Sequence, residues 1–542
     1  MPSNGPEHTA EAAGETDCLV IGGGSGGCTV AGRLSEEPAT QVAVLEAGGT
    51  GDGWIVNTPA ALFLMVGSTI NNWHFTTVPQ MGLGGRRGYQ PRGKCLGGSS
   101  SINAMVYTRG NRADFDGWAA LGAPDWSYTD VLPYFIRAED NDQFHDAYHG
   151  QGGPLGVSRS LSDTPLLSVF LQAAAEAGFK ICADFNGEDQ EGLGPYQSTT
   201  RGGERCSAAR AYLQPHLATR GNLRIETHAY VTRILFEGKR AVGAEYLQHG
   251  RRRQLRARRE VILSAGVFQT PQLLMLSGVG DTQSLKNHGI VPMHDQPMVG
   301  QHLHDHPDFV FGYASEAPYM LGFSLAEATV LLGAIGQYAK TRRGPLASNI
   351  AECGGFLKSS PDLATPDLQL HFGGAIIDDH GRKFHWGTGF SCHVALLHPK
   401  SRGRVGLEGP DPHSPPMIDP NFFGDPDDLE VMVKGFKITR RLMDAPALTA
   451  LRTRDLFTAD VKSDDDIRAA LRARVDTVYH PVGTCRMGQD PRTSVVDQRL
   501  RVHGMEALRI VDASVMPRVV SANTNAATIM IGERAADFIR AS

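Results

Sequence analysis

Four consecutive apolar residues, Cys18-Leu19-Val20-Ile21, have the length and composition of a strand buried on both faces. They run directly into Gly22-Gly23-Gly24-Ser25-Gly26-Gly27. Past the glycines, Val30, Ala31 and Leu34 fall on one helical face. Val42-Ala43-Val44-Leu45 then repeats the buried-strand pattern and ends at Glu46. The chain therefore opens on a strand, a helix and a second strand. Further on, Val242-Gly243-Ala244-Glu245-Tyr246 and Val261-Ile262-Leu263 read as strands. Ser264 to Gly280 reads as a strand end, a glycine turn, and a helix with Pro271 in its first turn and Gly278 at its stop. Asp367–Phe372, Phe390–Leu396 and Arg404–Leu407 alternate apolar with polar residues, as an antiparallel sheet requires, and Leu429–Met443 is spaced as a helix. The apolar stretch Ala526–Ile539 predicts a closing helix.

The first loop gives this pattern a chemical meaning. Gly22, Gly24 and Gly27 have G-x-G-x-x-G spacing, in which the first glycine permits a tight turn, the second lets backbone approach a pyrophosphate and the third packs helix on strand. The helix that follows offers free N–H groups and the positive end of its dipole to phosphates. Glu46 stands where an acidic residue reaches a ribose hydroxyl. A dinucleotide is expected here, and the loop itself does not distinguish NAD from FAD.

At 542 residues the chain exceeds what one hydrophobic core serves, so two domains are expected. Apolar content of 41% and charged content of 20% are those of an ordinary globular protein, and a net charge of −6 provides no field that would draw nucleic acid. The basic run Arg251–Arg259 reads as a solvated hairpin tip. Eight cysteines without C-x-x-C or metal spacing read as reduced thiols. Residues 1–15 are polar, with no secretory pattern, and are expected to form a flexible extension of a cytoplasmic protein. No run of eighteen apolar residues is present. The nearest, Phe323–Tyr338, is expected to be a buried or cleft-lining helix, with a membrane-surface helix and a peripheral location as the alternative.

Catalytic chemistry is expected in Tyr479-His480-Pro481-Val482-Gly483-Thr484-Cys485-Arg486-Met487-Gly488. There a histidine, suited to proton transfer near neutrality, precedes by some forty residues Ser521-Ala522-Asn523-Thr524-Asn525 at the head of the closing helix. His302, His304 and His306 alternate along the chain but lack companion ligands, so no metal site is expected.

Three long motifs identify a relative. Pro91-Arg92-Gly93-Lys94-Cys95-Leu96-Gly97-Gly98-Ser99-Ser100-Ser101-Ile102-Asn103 through Gly110, the stretch Ser264–Gly280, and Leu508-Arg509-Ile510-Val511-Asp512-Ala513-Ser514-Val515-Met516-Pro517 resemble, in order, signatures of the glucose-methanol-choline family of FAD oxidoreductases. The likeness covers nearly the whole chain. It implies an α/β fold: a Rossmann-like FAD-binding domain from 16–160, 205–315 and 465–542, with a discontinuous substrate-binding domain of antiparallel sheet and helices from 161–204 and 316–464.

By the same likeness His480 is the base and Asn523 its hydrogen-bonding partner. FAD is held by Gly22, Gly24, Ser25, Gly27, Glu46, Ala47, Trp73, Arg92, Gly97, Gly98, Asn103, Ala104, Val106, Val231, Ala265, Tyr479, Asp512, Ala513 and Asn525. Some relatives link flavin to a histidine where this chain has Ile102, so the FAD is expected to be non-covalent.

The expected activity is oxidation of a primary aliphatic or aromatic alcohol to the aldehyde, with dioxygen or a quinone as electron acceptor. The dehydrogenase is favoured over a peroxide-forming oxidase, although Val478 would leave room for oxygen. Choline oxidation is the alternative, with Glu352 as a carboxylate for the trimethylammonium group. A lyase, a decarboxylase and a non-catalytic flavin-binding module are weaker alternatives. No oligomeric state is expected from the sequence.

Overall fold

The computed structural model describes residues 10–323, 325–383 and 385–542, so residues 1–9, 324 and 384 lie outside it. Two sheets organise the chain. The first has seven strands. Leu223–Glu226, Val42–Leu45, Glu11–Ile21 and Arg251–Leu263 run parallel in that order, and Leu508–Ile510 pairs parallel with the last of them. Arg240–Gln248 and Tyr230–Glu237 extend the sheet antiparallel. The helix Ser25–Leu34, which follows the glycine loop, packs on this sheet beside the closing helix Thr524–Arg540. Strands buried on both sides account for the continuous apolar runs: Val42–Leu45 is buried throughout and Cys18–Ile21 is 0–2% exposed.

The first strand is longer than its apolar run. It starts at Glu11, within the segment expected to be a flexible extension, because its partner is longer too. The basic run is that partner and not a hairpin tip. Arg251–Leu263 forms a thirteen-residue strand, and the tip is His249-Gly250, both with positive φ as a two-residue hairpin turn requires. Its arginines meet Glu11 at 3.5 Å (Arg253), Asp17 at 3.0 Å (Arg258) and Glu237 (Arg256). Charge pairing across strands thus accounts for a composition that looks like a loop.

The second sheet is antiparallel, in the order Arg454–Asp455, Pro307–Ala314, Gly387–Leu396, Leu368–Gly373, Cys353–Leu357, Gly192–Pro195. The helix Pro426–Met443 packs on it through Phe436, whose ring lies 5.1 and 4.6 Å from those of Phe309 and Phe311. Three expectations change here. Pro307–Ala314 pairs in this sheet and not with the nucleotide domain. Gly403–Gly406, expected to join it, pairs instead with Gln301–Leu303 and Met417–Asp419. The helix expected from Leu429 starts at Pro426, where Asp425 caps the Asp427 N–H.

Pro271 lies in the second turn of the helix Gly266–Leu276, which begins earlier than a first-turn proline implies, at a glycine with φ +86°. The apolar helix Leu325–Thr341 is neither buried nor cleft-lining along its described length. Ala334 and Tyr338 face the protein, while Leu331, Leu332 and Ile335 are 47–71% exposed. No described helix is long and apolar enough to cross a membrane. All eight cysteines are free and buried.

Candidate active site

A cavity of about 360 Å³ lies between the two sheets. It is lined by Gly22, Gly24, Ser25, Glu46, Ala47, Trp73, Arg92, Gly98, Asn103, Ala104, Val106, Val231, Ala265, Tyr479, His480, Asp512, Ala513, Asn523 and Asn525. The other two expected residues, Gly27 and Gly97, work behind the wall. A Cβ on Gly27 would lie 2.0 Å from the Gly22 carbonyl oxygen, so this glycine allows helix to meet strand. Gly97, at φ +87°, donates its N–H to the Gly23 carbonyl at 2.7 Å and presses the second glycine loop on the first.

The wall has the donors that a dinucleotide needs. The helix Ser25–Leu34 begins at Gly24, and Thr524–Arg540 at Asn523, neither with a side-chain cap, so both present open N-terminal N–H groups at the cavity. Ser25 Oγ donates to Asn525 Oδ1 at 2.7 Å, joining the two helix starts. Glu46 accepts the Gly23 and Gly48 N–H groups at 2.9 and 2.8 Å. Asp512 accepts from Gly266 N, Thr270 Oγ1 and Ser514 N at 2.6–2.9 Å. Arg92 donates to the Tyr479 carbonyl at 3.0 Å, and Lys94 sits 4.3 Å above the Trp73 ring. These features fit an extended anionic cofactor with an aromatic end.

His480 and Asn523 meet. Asn523 Oδ1 receives the Thr108 hydroxyl at 2.9 Å and the Gln369 amide at 3.0 Å, which turns Nδ2 toward His480 Nε2 at 3.1 Å. By that network His480 Nε2 carries the lone pair and the ring proton sits on Nδ1, which faces His306 Nδ1 at 3.1 Å. Burial, then His306, His371 and Arg92, hold the His480 pKa well below its ordinary value, so the ring is a neutral acceptor. Asp305 fixes both backbones: one oxygen accepts the His480 and His306 N–H groups at 2.8 and 2.9 Å, the other the Thr477 hydroxyl at 2.5 Å. Three non-glycine residues of the wall, Met105, Ile350 and Tyr479, hold φ of +57°, +71° and +69°, conformations that bulky and β-branched side chains rarely adopt and that gather at sites of function.

Sequence reasoning passed over several members of this arrangement. His306 was considered with its neighbours as a metal ligand, and the structure places it against His480. Thr108 and Gln369 orient Asn523, and His371 and His393 line the same cavity. Arg205 is buried and donates to Asn103 Oδ1 at 2.9 Å and to the Asn103, Ser100 and Val56 carbonyls at 2.7–3.2 Å, holding the second glycine loop from behind. The available signal was the alternation in Leu368–Gly373, where Gln369 and His371 mark a polar face. That face is buried because it forms the cavity wall. Glu352, the carboxylate considered for a cationic substrate, does not line the cavity. It accepts the Ser160 and Ser162 hydroxyls at 2.8 and 2.9 Å.

The chain matches the GMC oxidoreductase models, N-terminal over residues 16–308 and C-terminal over 399–532. It is 45% identical to an alcohol dehydrogenase [acceptor] from Pseudomonas putida, over 96% of this chain and 95% of that protein. It is 42% identical to the mitochondrial choline dehydrogenase of Homo sapiens, over 98% of this chain and 91% of that protein. Among solved structures it is similar to a formate oxidase variant from Aspergillus oryzae (TM-score 0.90, 28% identity, 98% and 99% of the two chains) and to pyridoxine 4-oxidase from Mesorbium loti (TM-score 0.87, 30% identity, 96% and 98%). Motif order, cavity and similarity along almost the full length agree: the chain belongs to the GMC oxidoreductase family.

Proposed function

We propose that this oxidoreductase oxidises an uncharged primary alcohol, aliphatic or aromatic, to its aldehyde, with His480 as the base and Asn523 as the hydrogen-bond donor to the substrate oxygen. FAD is its cofactor, and the chain acts on CH–OH groups. When bound, FAD supplies the hydride acceptor. The protein has to take the hydroxyl proton and hold the oxygen. His480 Nε2 is the acceptor for that proton, and the second N–H of the Asn523 amide is aimed by Thr108 and Gln369 to hold the oxygen as charge develops on it. As Asn523 has no proton-accepting nitrogen, the base assignment rests on His480 alone.

One observation carries the choice of substrate. The carboxylates of the cavity wall are Glu46 and Asp512, both bound to backbone N–H groups of the cofactor loops, whereas Leu62, Phe63, Ile102, Met105, Ile350, Phe372 and Ile377 supply apolar wall. With Glu352 also engaged, no carboxylate among the described residues of the wall faces a trimethylammonium group, whose burial without a partner is costly. Anaerobic bleaching of the bound flavin tests this. Hexanol and benzyl alcohol are expected to bleach it at least tenfold faster than choline at equal concentration, and a choline advantage would overturn the reading. Admitting air to the bleached enzyme reads the acceptor: slow reoxidation, rescued by an artificial quinone, is expected of a dehydrogenase, and prompt reoxidation with stoichiometric peroxide would make it an oxidase.

Ile102 is 3% exposed, lines the cavity and has no nucleophile to offer flavin. Acid precipitation is expected to release intact FAD into the supernatant. Yellow colour retained by the precipitate would show a covalent link.

A further inference from the structure

The cavity wall carries a second polar group that proton abstraction does not use. His371 and His393 face each other across neighbouring strands, directly paired in register, with ring centroids 6.4 Å apart. Both line the cavity that contains His480 and Asn523. His371 is 5% exposed, and neither of its ring nitrogens makes a hydrogen bond of good geometry, although Asn523 lies close enough to influence it. A buried imidazole in that state on a cavity wall has both ring nitrogens open to a ligand. His393 differs, because its Nδ1 lies 2.6 Å from Asp308 Oδ2, a carboxylate 5% exposed. The carboxylate draws the ring proton to Nδ1, so Nε2 of His393 is left as an acceptor.

Those two rings define a ligand by its hydrogen-bonding pattern. Burial and the nearby His393 lower the His371 pKa to about 3, so its ring is neutral and offers an N–H. His393 offers a lone pair. A hydroxyl both accepts and donates, so one oxygen satisfies both rings. A carboxylate has no proton for His393, and an ammonium has no lone pair for His371. Gln369 lies two residues before His371 on the same strand face and binds Asn523 Oδ1 at 3.0 Å, which ties this wall to the catalytic pair.

We propose that His371 and the Asp308–His393 pair form a second subsite, which takes a second hydroxyl group of the substrate. The proposal rests on the reading above of His480 and Asn523 as the site of the first hydroxyl. The second hydroxyl has two sources, geminal in a hydrated aldehyde or on another carbon in a diol.

Ligands without hydrogen on the carbinol carbon report binding with no turnover. Dissociation constants are measured from the absorbance of the FAD-bound enzyme for two pairs: hexafluoroacetone hydrate against hexafluoro-2-methyl-2-propanol, and 2,3-dimethyl-2,3-butanediol against 2,3-dimethyl-2-butanol. At least one diol is expected to bind about tenfold more tightly than its mono-alcohol. The pair that shows the preference names the source. His371→Leu and His393→Leu are each expected to bring that ratio close to one, and His393→Gln, which keeps both a donor and an acceptor, to restore part of it. Retained FAD and an unchanged melting temperature identify folded variants. A ratio near one in the unmodified enzyme, or a ratio that neither leucine variant changes, overturns the subsite. Failure of any primary alcohol to bleach the flavin would instead overturn the catalytic reading, which the dead-end ligands do not depend on.

Discussion

Replacing His480 by alanine is expected to leave FAD bound and to slow reduction of the flavin by a primary alcohol by about 10²–10⁴-fold, the contribution of a positioned general base. The size follows from the surroundings of the ring. Asp305 holds the backbone of His480, and Asn523 and His306 lie against its two nitrogens. A pH profile supplies an independent sign. Because the folded environment lowers the His480 pKa well below 6.5, the base stays unprotonated from mildly alkaline pH down through that value, and protonation removes activity only further into acid. Single-turnover bleaching in the unmodified enzyme is therefore expected to be level across pH 6.5, and the fall at lower pH to vanish in His480→Ala. Near-normal bleaching in the variant, or an acid limb centred at or above 6.5 in the parent, would remove His480 from the role.

The second large effect belongs to the glycine loop. Gly27→Val is expected to destabilise the protein by about 3 kcal/mol or more and to yield enzyme that has lost its FAD. A Cβ at this position would sit 2.0 Å from the Gly22 carbonyl oxygen and 3.1 Å from Ser264 Cβ. Neither contact relaxes easily, because the strand ending at Ile21 is hydrogen-bonded on both sides, to Val42–Leu45 and to Arg251–Leu263. Gly117→Ala provides the comparison. It lies in the helix Arg112–Ala120 with nothing within 4 Å of an added Cβ, so it is expected to leave FAD binding unchanged and to add slightly to stability. Thermal unfolding and the flavin absorbance of the purified variants measure both effects, and a yellow Gly27→Val protein that melts with the parent would refute the packing argument.

The sequence was most legible where local pattern and chemistry coincide. Strand, glycines, helix and acid at 18–46 could be read because each element is defined by neighbours along the chain. His480 and Asn523 also stand in long motifs, and the fold brings their side chains to 3.1 Å. It was least legible where a residue's meaning depends on a distant partner. Arg251–Arg259 looked like a solvated loop because Glu11, Asp17 and Glu237 are not visible from within it. The polar positions of Leu368–Gly373 marked one face of a strand and no more, since period-two alternation does not distinguish water from a cavity wall. His306 was weighed with its nearest histidines, whereas its contact is 174 positions away.

The nucleotide loop at the start of the chain is completed by its last residues. Leu508–Ile510 enters the first sheet, Ser25 binds Asn525, and Glu533 of the closing helix is buried among Arg33, Arg137 and the Tyr212 hydroxyl, at 2.6–2.9 Å. During translation the N-terminal strand and its helix therefore emerge from the ribosome long before the pieces that cover them. Until the closing helix is released, Thr29, which packs on Gly532, and the edge of Arg251–Leu263 that pairs with Leu508–Ile510 lack their cover, so stable capture of the cofactor waits for that helix. A stop codon that removes the final helix would thus produce a chain that carries every glycine of the loop and has no finished place to hold a dinucleotide.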